Sequence, residues 1–263
     1  MIPKTSDGRV LFAVPWHNKI VVGTTDTLVK KSSLEPIALE QEIDFVLEIA
    51  QRFLEKKPTR ADVLSVFAGL RPLAAPEKKG QRTKEVSRSH KIIVSDTGLI
   101  TITGGKWTTN RKIAEDVVVK AIKVHNLPKN GCKTEHIAIH GNIASSETDR
   151  ENHLYIYGTD IPKILKLQED EPFLKEKLHP NYEYTMAEEA WAIRFEMART
   201  IEDVLARRVR LLVLDARAAI DSSKKVAQLL ATELEYDNTW AETQTDEFRA
   251  LANGFLLTEF YVK

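Results

Sequence analysis

Apolar and polar positions change period along this chain. Over the first hundred residues, short β-branched and aromatic runs at 10–14, 20–22, 92–94 and 99–103 are separated by turn residues and predict strands. Between them Leu39, Ile43, Val46, Leu47, Ala50 and Leu54 recur at helical spacing and stop before Pro58, which predicts one amphipathic helix over 39–54. Gly104 and Gly105 break the last strand, and Ile113, Val117, Val118, Ala121 and Ile122 restore a helical period over 107–124.

Residues 127–146, containing PKNGC and HGNIASSE, are turn-rich and weakly periodic and read as a linker. Beyond it helical stretches are expected at 151–157, 160–168, 171–178, 186–199, 200–213, 215–235 and 239–253, and no strand is required. Thr159, Asp160 and Thr185 are expected helix starts, because a short side-chain oxygen accepts from first-turn amides that otherwise lack a partner. The expected fold is α+β: a strand-bearing part over 1–125 followed by an all-α domain over 126–263.

Composition narrows this little. Hydrophobic residues are 43% and charged residues 29% of 263, as in folded globular chains. Lys plus Arg and Asp plus Glu both number 38, so no global field draws the chain onto nucleic acid or an anionic bilayer. Cys132 is the only cysteine. It excludes an intramolecular disulfide or thiolate metal cluster, suits a reducing cytoplasm, and is expected to be a buried structural thiol. The opening residues do not read as a secretory signal, and no apolar run is long enough to span a bilayer.

Candidate chemistry concentrates in Thr101 to Thr109, where a strand runs through two glycines into a helix beside Lys106. Glycines allow close backbone approach, and the unpaired amides of a new helix favour a negative partner. A tight turn without a ligand is the alternative. Arg71, among apolar residues and before Pro72, is expected to be partly buried. Its planar fork matches phosphate or carboxylate, with a structural ion pair as the competing account. Arg88 precedes the 92–94 strand; alone it reads as surface charge. Gly23-Thr24-Thr25-Asp26 reads as a binding loop or a capped turn. His17, His90, His136 and His140 lack a metal-ligand spacing and are taken as structural or exposed. The Arg- and acid-rich stretch 188–217 reads as helical ion pairs such as Glu196 with Arg199 and Asp203 with Arg207 or Arg208.

The segments DGRVLFAVPW, VVGTTDT, FAGLRPL, VSRSHKI, TGGKWTTNRKIAED and AEEAWAIRFEMARTIEDVLARRVRLL, in that order and spacing, resemble the aerobic FAD-dependent glycerol-3-phosphate dehydrogenases, a branch of the D-amino-acid-oxidase-like flavoproteins. The resemblance covers nearly the whole chain. It implies oxidation of sn-glycerol 3-phosphate at C2 to dihydroxyacetone phosphate, with FAD as cofactor and quinone as final acceptor, by an enzyme in the cytoplasm or peripheral to the inner face of its membrane. It implies that residues 1–125 belong to the FAD- and substrate-binding domain, their strands completing a larger mixed sheet. Arg71 and Lys106 would be the catalytic and substrate-binding residues, with Arg88 a third substrate ligand. Gly104, Gly105, Lys106, Trp107, Thr108 and Thr109 would lie against the flavin edge. No metal or nucleic acid is expected, and a homodimer is left open. An oxygen-using glycerol-3-phosphate oxidase and a helical interaction module are the alternatives.

No Gly-x-Gly-x-x-Gly follows a strand in this sequence, so the dinucleotide cradle of such enzymes is not in it. The resemblance also puts the general base, a histidine, upstream of DGRV, and His17 is not given that role. The expectation is a carboxy-terminal half that alone neither holds FAD tightly nor turns over.

Overall fold

The computed structural model describes residues 1, 2, 5, 10–71 and 89–257. Arg88 lies outside the described residues. The chain clusters into two compact units that interleave along the sequence: Met1–Thr27 with Ser33–Gly69 and Gly141–Lys263, and Leu28–Ser32 with Leu70–His140.

In the first unit, β1 (Phe12–Trp16) and β2 (Lys19–Gly23) form an antiparallel hairpin with Trp16 opposite Lys19. Its two-residue turn, His17-Asn18, has φ of 45° and 58°. Positive φ at both central residues matches the right-handed twist of the strands. Helix α1 (Glu40–Phe53) starts where the Leu39 amide donates to the Glu42 carboxylate at 3.2 Å. Its Ile49 packs with Ile2 and Leu11 in a small apolar cluster that Phe45, Val46 and Ala13 flank.

The larger core belongs to α3 (Ile161–Asp170), α4 (Met186–Phe195), α5 (Leu211–Leu214), α6 (Ala216–Leu234) and α7 (Asn238–Asn253). Ile164, Ile201, Leu205, Leu211, Leu212 and Leu230 are fully buried there, and Trp16 packs against them from the hairpin. Residues 63–66 are stitched onto these helices. Ala216 N–H donates to the Leu64 carbonyl, Val66 N–H to the Phe255 carbonyl, and the Ser65 hydroxyl to the Leu212 carbonyl.

The Thr185 start is present: its amide donates to Glu188 at 2.8 Å. At α3 the Asp160 side chain makes no cap bond and pairs instead with Lys163 at 2.8 Å. The stretches expected as helix at 151–157 and 171–178 contain 3-10 helices, His153–Asp160 and Pro172–Lys175. The expected helix at 200–213 is broken. Thr200 and Asp203 cap each other reciprocally, Asp203–Arg208 runs as a π-helix, and Arg210 turns left-handed at φ 60° before α5. Arg208 fills the break, donating to the carbonyls of Glu196 and Asp203 at 2.5 and 3.2 Å.

The second unit contains an antiparallel hairpin, β3 (Lys91–Val94) and β4 (Ile100–Thr103), and helix α2 (Asn110–His125). Cys132 corrects its expectation. It is exposed, on the loop after α2, where its sulfur lies 3.2 Å from the Thr134 hydroxyl and 3.9 Å from the Arg111 guanidinium. That turn-rich loop offers the thiol no apolar surroundings to enter. The fold is α+β with a helical carboxy-terminal part, and the described sheets are both two-stranded.

Two adjacent glutamates on α4 are fully buried and differ in their partners. Glu188 Oε2 accepts from the Thr185 amide and lies 3.1 Å from His153 Nε2. Neither oxygen of Glu189 has a hydrogen-bond partner among the described residues. Burial therefore pushes the Glu189 carboxyl well above the ordinary carboxylate range; the nearby Glu233 adds to this and Lys225 opposes it. A carboxyl raised in the folded state stabilises the fold below its unfolded pKa and loses that contribution as pH rises. Glu189→Gln should therefore stabilise the chain near pH 7 by about 1–3 kcal/mol. The gain should shrink toward about pH 4, where both states hold the proton. Urea unfolding at the two pH values reads this; equal midpoints for the variant and the parent at neutral pH would contradict it.

Candidate functional site

The Thr101 to Thr109 segment lies in the second unit, whose described residues include no buried side chain. With little apolar burial, polar ties carry more of the order. His90 Nε2, just before β3, lies 3.1 Å from the Asp116 carboxylate on α2. His125, the last residue of α2, puts Nε2 3.1 Å from the Gly98 carbonyl in the β3–β4 loop. Lys112 also pairs with Asp116 at 2.9 Å. Lys112 first, with His90 adding to it, holds the Asp116 carboxyl below its usual range. The hairpin is thus fastened to the helix near both ends.

Between these fasteners the chain leaves β4 through Gly104 and Gly105, at φ of 75° and 94°. A side chain is strained in that region, and at Gly105 a Cβ would lie 2.6 Å from Ile113 Cδ1, so the end of that side chain would have to shift, and 3.4 Å from His90 Cβ. Lys106 follows in extended conformation, and Trp107–Thr109 forms one 3-10 turn that leads into α2. The expected helix thus begins with a tighter turn, closed by the Thr109 amide and hydroxyl donating to the Lys106 carbonyl, each at 3.0 Å. That bond uses the Thr109 amide. Among the described residues the amides of Lys106, Trp107 and Thr108 make no hydrogen bond, so they can receive an acceptor at the positive end of α2. Lys106 is exposed, and Trp107 is 88% exposed.

Arg71 belongs to the same unit as Lys106. It is exposed, which corrects the expectation of partial burial: Gly69 and Leu70 before it are exposed as well, so the apolar neighbours in the sequence do not enclose it. The Gly23 to Asp26 loop belongs to the other unit and does not join these residues in one compact body. The histidine fasteners carry no sequence signal beyond a His on each side of an apolar helix. They show only when the hairpin is folded onto α2. Among the described residues, no group of three or more His, Cys, Asp or Glu is placed to hold a metal ion.

Residues 95–241 match the family model of the C-terminal domain of alpha-glycerophosphate oxidase. The chain belongs to this family. The match takes in the glycine turn and the helices through the start of α7, while Arg71 and Arg88 lie before it. The mitochondrial glycerol-3-phosphate dehydrogenase of Mesocricetus auratus is 35% identical over 277 residues, covering 98% of this chain and 37% of that protein. The mitochondrial enzyme of Arabidopsis thaliana is 34% identical, covering 97% of this chain and 45% of that protein. The FAD-complexed glycerol-3-phosphate dehydrogenase of Bacillus halodurans superposes with a TM-score of 0.77 at 25% identity, over 98% of this chain and 53% of that structure. The chain spans less than half the length of these two curated relatives.

The backbone at Gly105 yields a direct check. Gly105→Ala should lower stability by roughly 1–3 kcal/mol, through the left-handed backbone and the collision with Ile113. Gly69→Ala, where nothing lies within 4 Å of the added carbon, should be nearly neutral. Thermal unfolding of both variants, with limited proteolysis of the 89–140 region, distinguishes them. Equal behaviour would show that the turn does not need its glycine.

Proposed function

We propose that this chain is the substrate-side part of an FAD-dependent dehydrogenase that oxidises sn-glycerol 3-phosphate to dihydroxyacetone phosphate and passes electrons to quinone. The observation that carries the reading is Lys106, exposed on a glycine turn with three successive amides that make no hydrogen bond among the described residues, in the same compact unit as an exposed Arg71. The family match and the names of the relatives support it.

These residues fit a flavin edge. Gly104 and Gly105 bring the backbone around without side chains, and the amides of Lys106, Trp107 and Thr108 present donors where negative charge is favoured. When bound, FAD supplies the two-electron acceptor for oxidation at C2. Arg71 offers a bidentate fork for the substrate phosphate, and Lys106 a point charge for a phosphate or hydroxyl oxygen. Arg88 is proposed as a third ligand on sequence grounds. The proposal places the whole enzyme in the cytoplasm, peripheral to the inner face of the membrane where quinone is reached, and leaves a homodimer open. No helix among the described residues is long and apolar enough to cross a membrane.

The sequence holds no Gly-x-Gly-x-x-Gly, and the two curated relatives are more than twice as long. This supports the further proposal that the 263 residues alone neither retain FAD nor turn over. Purification of the chain without flavin absorbance is the expected result; a stoichiometric yellow fraction would overturn it.

The family description names an oxidase, which keeps molecular oxygen as a second acceptor. Peroxide formation set against reduction of a soluble quinone separates the two. In the enzyme that joins this chain to a dinucleotide-binding half, Arg71→Ala and Lys106→Ala should each lower kcat/KM by about tenfold to a thousandfold, as the loss of charged contacts to substrate requires. Steady-state kinetics unchanged in both variants would remove these residues from the site.

A further inference from the structure

The first unit contains a cavity of about 280 Å³ that the proposed dehydrogenase site does not use. Its lining includes His17 from the β1–β2 turn, Tyr157 from the 3-10 segment before α3, Glu196 after α4, and Arg207, Arg208 and Arg210 from the broken stretch before α5. Three arginines and one glutamate therefore line it.

The three arginines are not equivalent. Arg208 is tied to the carbonyls of Glu196 and Asp203 and lies 3.4 Å from the Asp203 carboxylate. Arg207 pairs with Glu202 at 2.7 Å. The guanidinium of Arg210, exposed on its left-handed residue, has neither hydrogen bond nor ion pair among the described residues, while its carbonyl accepts from the Val213 and Leu214 amides. Glu196 spends one oxygen on the Trp191 indole, 3.2 Å away. The Tyr157 hydroxyl is buried beside the Glu188 carboxylate and is not open to the cavity.

The cationic character reaches His17. Its ring stands near Tyr155 and Tyr184, at 6.1 and 6.3 Å between centroids. Burial first, then Arg210 and His153, hold its imidazole below the ordinary value. A free guanidinium and two partly committed ones form an acceptor-seeking set. The volume is below that of pockets that hold drug-sized ligands, roughly 300–1,000 Å³, and suits a small group.

We propose that this cavity binds a phosphate-type anion, with Arg210 as its main ligand and Arg207 as a supporting donor. The chemistry is shared by a free small phosphate and by the phosphate of a lipid headgroup. The site rests on residues outside the second unit and does not depend on the dehydrogenase reading.

The test is titration of the 263-residue chain with inorganic phosphate against sodium chloride at matched ionic strength, following the His17 imidazole resonances and the heat of binding. A parallel arm measures co-sedimentation with phosphatidylglycerol vesicles against phosphatidylcholine. Saturable movement of the His17 signals by phosphate, weakened about tenfold or more by Arg210→Gln, establishes a soluble-phosphate site. Binding confined to phosphatidylglycerol vesicles and lost in Arg210→Gln establishes the headgroup as the source. Arg207→Gln, also at an exposed position, serves as the second variant if Arg210→Gln shifts the unfolding midpoint. The proposal fails if neither arm responds beyond the chloride control, or if the response is the same in well-folded Arg210→Gln or Arg207→Gln.

Discussion

Two consecutive backbone conformations at positive φ, at Gly104 and Gly105, set the geometry on which the candidate site depends. They let β4 end, the chain reverse, and α2 begin within a few residues, and the absence of a side chain at Gly105 lets Ile113 and His90 close against the backbone. Glycine here is favoured chiefly by φ, with the end of the Ile113 side chain packed close against it. Lys106 leaves this turn in extended conformation, with the Trp107–Thr109 turn closing onto its carbonyl. Its position follows from the hairpin and helix on either side of it.

The two units are held by different forces. In the first, a contiguous apolar core of helices tolerates a fully buried glutamate without partners and a broken helix filled by an arginine. In the second, no described side chain is buried, so His90 with Asp116 and His125 with the Gly98 carbonyl fix what packing does not. Such polar ties contribute about a kcal/mol each at most when exposed, but they join the middle and the last residue of α2 to two points of the hairpin and so restrain its pivot as well as its distance.

Much of this was legible in the sequence because periodicity reports local structure. Both hairpins, α1, α2 and the long carboxy-terminal helices fall where alternation or helical spacing puts them. The glycine turn was legible as chemistry because glycine, lysine and a helix start adjoin one another. What escaped depends on distant partners. Residues 63–66 carry no pattern that announces hydrogen bonds to Leu212, Ala216 and Phe255, yet those bonds join the amino-terminal part to the helices. Arg71 was expected to be enclosed because Leu70 and Pro72 adjoin it, but an apolar neighbour in sequence shields an arginine only if the chain folds over it. Cys132 shows the same fault: a cysteine's usual burial was assumed for a residue on a turn-rich loop.

The interruption at 203–210 shows how a local irregularity changes what charges can do. A regular helix through this stretch would give Arg207 an acid four residues back, Asp203, and would give Arg208 and Arg210 none three or four residues away. The π-helical segment turns Arg208 inward onto carbonyls and leaves Arg207 with Glu202, while Arg210 stands on its left-handed residue with no ion pair among the described residues. The chain's overall charge balance of 38 against 38 therefore conceals a local surplus. Sequence spacing sets that surplus, since Arg210 has no acid three or four residues away, and Asp203 is shared among the Arg199 and Thr200 amides and the Arg207 and Arg208 guanidinium groups.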